Sequence, residues 1–148
     1  MKEIRNDKFK IQPILNAYEN KNREFMKTVW NTLIYTDNKP EEEKYDEYID
    51  DMFTQRNIVE VYHALNHFNI SNVHNGLKKG NNLADKINIP TLVLWGENDK
   101  VVPKKMAEEI VNDIGENAKL KVLKGCGHSP LIDDLKQLNL TINNFLNI

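Results

Sequence analysis

A continuous run of apolar and β-branched residues from Thr91 to Trp95 is the feature that most restricts the fold of this chain. The run follows a proline, and its composition is typical of a parallel strand that is covered on both faces. A helix is predicted next, because Pro103 suits a first helical turn and Gly115 suits a helix end. A second strand is predicted over 119–123 and a closing helix over 135–145. Strand, crossover helix and strand of this length predict a right-handed βαβ unit.

The part of the chain before this unit carries helical patterns only. Apolar residues recur at helical spacing in a segment predicted to run from Asn22 to Tyr35. A second helix is predicted to open at Pro40, because its fixed φ suits the first helical turn and three glutamates follow at the positive end of the helix dipole. A third helix is predicted over 58–68. Glycines and asparagines over 75–82 then predict a loop before the first strand.

The predicted sheet is too small to be stable by itself. Two parallel strands need further strands or covering layers before both of their faces are buried. At least one edge of the βαβ unit is therefore expected to stay open unless something pairs with it. The 148 residues allow one ordinary domain. We expect the chain to be incomplete by itself or to assemble, either as a homodimer or by pairing through the open sheet edge.

Each predicted strand is followed by a residue that can handle protons. Asp99 lies just past the end of the first strand, and His128 lies just past the end of the second. Parallel strands end at the same rim of a sheet, where open α/β sheets place their sites. A histidine that acts as general base needs a carboxylate to fix its tautomer and to stabilise the imidazolium. Either residue alone is more often structural, but their joint placement favours a catalytic pair.

Such a pair usually serves a nucleophile on a Gly-x-Ser-x-Gly turn, and the 148 residues contain no such turn. The two serines are Ser71 and Ser129. Ser129 directly follows His128, and neighbours in a loop rarely face each other. Cys126 lacks the strand-turn-helix context of a nucleophile elbow. We interpret Cys126 as a small, partly buried residue. A complete small enzyme that uses the thiol of Cys126 as its nucleophile is therefore a weaker hypothesis than the two given below.

The stretch Ile-Pro-Thr-Leu-Val-Leu-Trp-Gly-Glu-Asn-Asp-Lys-Val-Val-Pro, followed by Cys-Gly-His-Ser-Pro and a terminal helix, resembles the C-terminal end of the α/β-hydrolase superfamily. The resemblance covers 87–148. It implies an α/β fold in which a helical cap, residues 1–86, precedes a C-terminal βαβα unit with an incomplete parallel sheet. The family orders its triad as nucleophile, acid and histidine, so Asp99 matches the acid and His128 the base. The nucleophile half of the family is not found in the sequence.

The first hypothesis is therefore a portion of a hydrolase that cleaves an ester or related bond of a small molecule when complete. His128 would be the general base and Asp99 the orienting acid, with no cofactor, and the chain alone is expected to be inactive. The alternative is a catalytically inactive truncated relative that acts as a binding or assembly module. Aromatic residues of the cap are expected to line or cover an apolar pocket, namely Trp30, Tyr48, Tyr62 and Phe68.

Charge and composition argue against several other classes. A net charge of −2 and a pI near 6.1 give no reason to expect nucleic acid as a partner. The chain has no long apolar run and no signal-peptide core, and its single cysteine is compatible with a reducing compartment, so a cytoplasmic protein without membrane contact is expected. No metal is expected, because His63 and His67 lack the glutamate and third ligand of a zinc protease, and the acidic run over 41–51 lacks calcium-loop spacing.

Overall fold

The computed structural model describes residues 2–147, which form helices and a small parallel sheet. Five helices precede the sheet: α1 (Lys2–Arg5), α2 (Gln12–Glu19), α3 (Arg23–Leu33), α4 (Glu42–Met52) and α5 (Ile58–His67). The remaining α-helices and the two strands are β1 (Thr91–Gly96), α6 (Lys104–Ile114), β2 (Ala118–Leu123), α7 (Pro130–Asp133) and α8 (Leu135–Leu146), and short 3₁₀ helices span Ala84–Lys86 and Gly115–Asn117. Within the described residues, no helix combines the length and the apolar character that crossing a bilayer requires.

The sheet part follows the predicted order of elements. β1 and β2 pair in parallel, in a register that places Thr91 opposite Ala118 and Gly96 opposite Leu123. Helix α6 connects the two strands and ends at Gly115, whose φ of 81° favours glycine. The predicted strand-helix-strand-helix unit is confirmed. The short helix α7 is an addition that the sequence pattern did not predict.

Helices α2, α3 and α4 pack around one apolar cluster, which explains the helical spacing of their apolar residues. α3 begins after Asn22, whose side-chain oxygen accepts a hydrogen bond from the Phe25 N–H at 3.0 Å and so caps the helix. α4 begins at Glu42 rather than at Pro40, because Glu41 has an extended conformation and precedes the first helical residue. The predicted start at Pro40 was therefore wrong by two residues. The buried members of the cluster are Ala17, Met26, Tyr35, Tyr45 and Ile49.

Acidic residues of α4 pair with basic residues of α3. Arg23 contacts Asp46 at 2.8 Å and also contacts Asp50, while Lys27 contacts Glu42 at 2.5 Å and Asp46 at 2.8 Å. Hydrogen bonds to Asp46 and Glu42 raise the pKa of Lys27 to about 12. Exposed ion pairs add little to stability one by one, so their main consequence is to align the two helices. The acidic run over 41–51 therefore contacts α3 with some of its carboxylates and exposes the others to solvent.

Two smaller apolar clusters hold the sheet and its loops. Ala84, in a 3₁₀ turn before β1, is buried with Ile114 of α6 and Ala118 of β2. The other cluster joins Leu123, at the end of β2, to the loop that follows and to α8. Ile132 of α7 packs against the cluster of the helical part, so α7 lies between the sheet and the first helices. The boundary between residues 86 and 87 stays a prediction.

One edge of β1 has no strand beside it within residues 2–147, because β1 pairs there with β2 alone. One face of the sheet is also incompletely covered. A groove of about 740 Å³ lies between the strands and α8, with Leu92, Leu120 and Phe145 in its wall. The incomplete parallel sheet expected from the sequence is therefore confirmed, and pairing through its open edge stays a prediction.

Candidate active site

Asp99 lies in a tight turn that follows β1. Its Oδ1 accepts hydrogen bonds from the N–H groups of Val101 at 2.7 Å and Val102 at 2.9 Å. The indole N–H of Trp95 donates to the carbonyl of Val102 at 2.7 Å and fixes the same turn to β1. Because one carboxylate oxygen is held by the backbone, the turn itself determines where the other oxygen, Oδ2, lies.

His128 lies on the loop between β2 and α7. That loop turns at Gly125, which has a φ of 68° and donates its N–H to the carboxylate of Glu97 at 3.1 Å. The N–H of Asn98 donates to the carbonyl of Cys126 at 2.8 Å. Hydrogen bonds therefore join the loop after β1 to the loop after β2, and the two predicted residues meet at the same rim of the sheet.

The imidazole of His128 and the carboxylate of Asp99 form a direct contact. The distance between His128 Nδ1 and Asp99 Oδ2 is 3.0 Å. The Asp99 side chain is 7% exposed, whereas that of His128 is 33% exposed. A neutral histidine that donates from Nδ1 keeps the lone pair of Nε2 as a proton acceptor. In this arrangement a nearly buried carboxylate can orient a partly exposed imidazole as a proton acceptor.

The environment of Asp99 favours its ionised form. Burial by itself raises the pKa of the carboxyl group, but hydrogen bonds from Val102, His128 and Val101 favour the charged form and together outweigh it. The net effect is a pKa below the usual value for aspartic acid. Asp99 is thus a carboxylate at neutral pH, as a group that stabilises an imidazolium must be.

Replacing Asp99 with Asn is expected to remove a pH-dependent part of the stability. Because the folded-state pKa is lowered, the carboxylate stabilises the fold above the unfolded pKa of about 3.9, and this contribution is lost as the pH falls through the folded-state pKa. At neutral pH, the free energy of unfolding of the wild-type chain should exceed that of Asp99→Asn by about 1.5 to 3 kcal/mol. Urea unfolding of both proteins at a series of pH values measures the difference. A difference that stays constant down to the most acidic samples would contradict the expectation.

One cavity adjoins the pair, and a second lies beside the residue that follows His128. The first, of about 210 Å³, lies between β1, α6 and the loop after β2, and both Asp99 and His128 are in its wall. The second, of about 450 Å³, lies where the first helices meet α7, and its wall includes Ser129, the neighbour of His128. We call this second cavity the aromatic pocket. Its apolar wall consists of Tyr18, Trp30, Tyr35, Tyr48, Met52, Leu131 and Ile132.

The predicted pocket residues are confirmed in part. Trp30 and Tyr48 line the aromatic pocket as expected. Tyr62 and Phe68 are not in its wall, and Phe68 is 70% exposed, so for these two residues the prediction stays a prediction. Both lie at or beyond α5, which packs against α1. The two aromatic residues that the sequence did not single out are Tyr18, from α2, and Tyr35, from the segment just after α3.

Neither Cys126 nor Ser129 is placed in an environment that suits a catalytic nucleophile. Cys126 is completely buried, more so than expected, and burial followed by the nearby carboxylates of Asp133, Asp134 and Asp37 raises the pKa of its thiol. Nucleophilic cysteines have the opposite environment, since the thiolate is the reactive form. Within the described part of the chain, no hydrogen bond joins the hydroxyl of Ser129 to His128, whose Nδ1 contacts Asp99 instead.

The two histidines with metal-ligand spacing contact each other. The rings of His63 and His67 stack at 3.9 Å on α5, and Nδ1 of His67 lies 2.8 Å from the carbonyl of His63. Among residues 2–147, no group of three or more His, Cys, Asp or Glu side chains is arranged to hold a metal ion. The spacing of four residues places the two histidine rings on the same side of α5, where they stack on each other.

The sequence of the chain matches the family model described as alpha/beta hydrolase fold over residues 13–135. The match covers most of the 148 residues. The chain belongs to the α/β-hydrolase fold family. Its similarity to that family, inferred above from the Asp99 and His128 motifs, is confirmed.

Individual α/β-hydrolases are similar over shorter stretches. The monoacylglycerol lipase ABHD6 of Mus musculus is 34% identical over 62 residues, which are 42% of this chain and 18% of the relative. Lipase 3 of Moraxella sp. (strain TA144) is 37% identical over 51 residues, which are 34% of this chain and 16% of the relative. The chain is therefore related in sequence to lipases, and the matching stretches are less than a fifth of the length of these relatives.

A solved structure shows the same fold over a longer stretch. That structure is of a serine hydrolase involved in carbazole degradation, the CarC enzyme. The superposition has a TM-score of 0.64 at 20% sequence identity and covers 84% of this chain and 47% of the other. This α/β-hydrolase chain thus corresponds to about half of a solved hydrolase structure. The catalytic roles of Asp99 and His128 stay predictions.

Some residues that build the site were not predicted from the sequence. Gly96 ends β1 where a side chain would meet the backbone of Gly127, and the N–H groups of Val101 and Val102 hold the Asp99 carboxylate. Asp133 accepts a hydrogen bond from Gly127, next to His128. The position of Gly96 at the end of an apolar strand was a usable signal, since a glycine there often marks a close approach of backbones.

Proposed function

We propose that this chain contributes the general base and its orienting carboxylate to a hydrolase whose nucleophile lies outside these 148 residues. The observation that supports the proposal most directly is the 3.0 Å contact between His128 Nδ1 and Asp99 Oδ2 at the rim of a parallel sheet. His128 would take the proton of the nucleophile through Nε2, and Asp99 would stabilise the imidazolium that forms. The nucleophile, most often a serine in this family, and the N–H groups of an oxyanion hole would come from the part that is not found in the sequence.

The aromatic pocket and the relatives together suggest the kind of substrate. The pocket offers an apolar wall close to His128, which suits the apolar portion of a small molecule. The similarity to proteins named as lipases supports a carboxylic ester as the bond that is cleaved. The proposal therefore includes a small-molecule ester as substrate, no cofactor and, given a single buried cysteine, action in the cytoplasm.

An esterase assay with and without a complementing segment tests the proposal. The purified chain is mixed with p-nitrophenyl butyrate, first alone and then after co-expression with a segment of the same genome that carries a Gly-x-Ser-x-Gly turn. We expect no turnover above background from the chain alone and turnover from the combination. Turnover by the chain alone that survives both Asp99→Ala and His128→Ala would overturn the assignment of the pair.

A second candidate function is favoured by the open edge of β1. A module that binds a partner through this edge would need neither nucleophile nor substrate, and the groove beside α8 would add apolar contact. Size-exclusion chromatography separates the two candidates in part. A stable dimer of the chain alone, together with failure of the complementation assay, would favour the module, whereas a monomer that gains activity with a complementing segment would favour the hydrolase.

A further inference from the structure

Asp133 of α7 is hydrogen-bonded both to the loop just before α7 and to a segment 95 positions away in the sequence. Its Oδ2 accepts a hydrogen bond from the N–H of Gly127 at 2.7 Å, and Gly127 directly precedes His128. Its Oδ1 accepts a hydrogen bond from the N–H of Asn38 at 3.3 Å, and its backbone carbonyl accepts one from Asn38 Nδ2 at 3.1 Å. Asn38 lies in the connection between α3 and α4. One carboxylate therefore joins the loop that carries His128 to the helices that form the aromatic pocket.

The connection between α3 and α4 packs directly against this loop. A Cβ atom built on Gly127 would lie 3.1 Å from Thr36 Oγ1 and 3.5 Å from Asp37 Oδ2, so these two side chains lie directly beside the loop. The shorter hydrogen bond of Asp133, at 2.7 Å, is the one to Gly127. Bonds from an N–H to an ionised acceptor are shorter and stronger than neutral ones.

His128 is thus held at two points by two different carboxylates. Asp99 holds the ring through Nδ1, and Asp133 holds the backbone immediately before it. The second point matters because the Nδ1 contact is made at the end of a side chain, and a small rotation of the backbone at residues 127 and 128 would carry the ring away from Asp99. Asp133 itself is anchored, since its N–H donates to the Ser129 carbonyl at 3.0 Å in the first turn of α7.

We propose that Asp133 is a positioning residue for His128, which fixes the ring against Asp99 and ties its orientation to the position of helices α3 and α4. This role of Asp133 in the reaction rests on the proposed function of His128 as general base. The coupling of Asp133 to the ring is a property of the chain alone and is measured without any turnover.

The test compares Asp133→Ala with Asp134→Ala by NMR of the purified full chain. Asp134 is the matched control, because it is the neighbouring carboxylate and accepts a hydrogen bond from the Gln137 N–H at 2.8 Å as the N-cap of α8, without contacting Gly127. The readouts are the ¹⁵N shifts of the two ring nitrogens of His128, which report its tautomer, and the exchange rate of the Gly127 amide. A purely structural loss of α7 or α8 packing would not single out these signals.

We expect Asp133→Ala to move the two ¹⁵N shifts of His128 towards each other, as the ring loses its fixed tautomer, and to speed exchange of the Gly127 amide about tenfold or more. Asp134→Ala should change both readouts much less, because Asp134 reaches this loop only through the side chain of Gln137, which contacts Lys124. A folded Asp133→Ala protein with unchanged His128 shifts would overturn the proposal.

The isosteric variant Asp133→Asn gives a second reading if Asp133→Ala does not fold. An amide has only one acceptor oxygen, so it can serve Gly127 or Asn38 but not both in the native arrangement. We expect an intermediate shift of the His128 signals and faster exchange at one of the two amides. Wild-type behaviour of both amides and of the His128 ring in Asp133→Asn would also overturn the proposal. Failure of the esterase assay would contradict the proposed function and leave these readouts as they are.

Discussion

Replacing Gly96 with alanine is expected to destabilise the chain by at least about 3 kcal/mol and to disrupt the contact between Asp99 and His128. A Cβ atom at position 96 would lie 2.1 Å from the carbonyl oxygen of Gly127 and 2.6 Å from that of Cys126. Both obstacles are backbone atoms, so no side-chain rotation can relieve them. The loop after β2 would have to move away from β1, which would break the hydrogen bond from the Asn98 N–H to the Cys126 carbonyl.

Urea unfolding of Gly96→Ala and of a matched variant measures this effect. Gly76→Ala is the control, because position 76 has no heavy atom within 4 Å of a built Cβ and suffers only from its φ of 94°. Strain of that kind costs about 1 to 2 kcal/mol. The NMR signals of His128 should be lost or moved in Gly96→Ala and kept in Gly76→Ala. Equal destabilisation by the two substitutions would show that the close approach at Gly96 is easily relaxed.

The elements of the sheet part were predictable because their signals are local. Pro90 before β1, Pro103 before α6 and Gly115 at its end mark boundaries that depend on backbone conformations of single residues. Once two parallel strands are assigned, the residues after their ends must lie at one rim. The approach of Asp99 to His128 therefore follows from strand direction alone, across a sequence separation of 29 residues.

Contacts that depend on packing could not be predicted in the same way. Asn38 and Asp133 are 95 positions apart, and no local pattern indicates that the connection between α3 and α4 lies against the loop after β2. The aromatic pocket shows the same limit, since helical spacing identifies an apolar face but not the element that it meets. For this reason Trp30 and Phe68 looked equivalent in the sequence, although only Trp30 lines the pocket.

The wrong start of α4 has a different cause. Proline is common in the first turn of a helix, but its fixed φ is also compatible with an extended connection before a helix. Here Glu41 is extended and α4 starts only at Glu42. The extended residues belong to the connection that contains Asn38, so the helix starts later and the connection is long enough to reach the loop of His128.

In the complemented hydrolase, His128→Ala is expected to lower kcat by at least about 10³-fold and Asp99→Asn by about 10³- to 10⁴-fold. Loss of the imidazole removes the group that would accept the proton of the nucleophile. Asp99→Asn acts differently, because an amide can still accept hydrogen bonds from Val101 and Val102 with its oxygen and would present its NH₂ group to His128 Nδ1. The ring would then carry its proton on Nε2 and could no longer act as a base there.

The measurement is kcat and KM for p-nitrophenyl butyrate, with His63→Ala as the histidine control. His63 lies on α5, stacked on His67, and its removal should leave kcat within about twofold of wild type, since it plays no part in the proposed chemistry. KM should change little in all three variants, because none of the three residues lines the aromatic pocket. More than a tenth of wild-type kcat in His128→Ala would contradict its role as base. A full loss in His128→Ala with normal kcat in Asp99→Asn would mean that the ring keeps its tautomer without the carboxylate, and the contact at 3.0 Å would then have a structural role only.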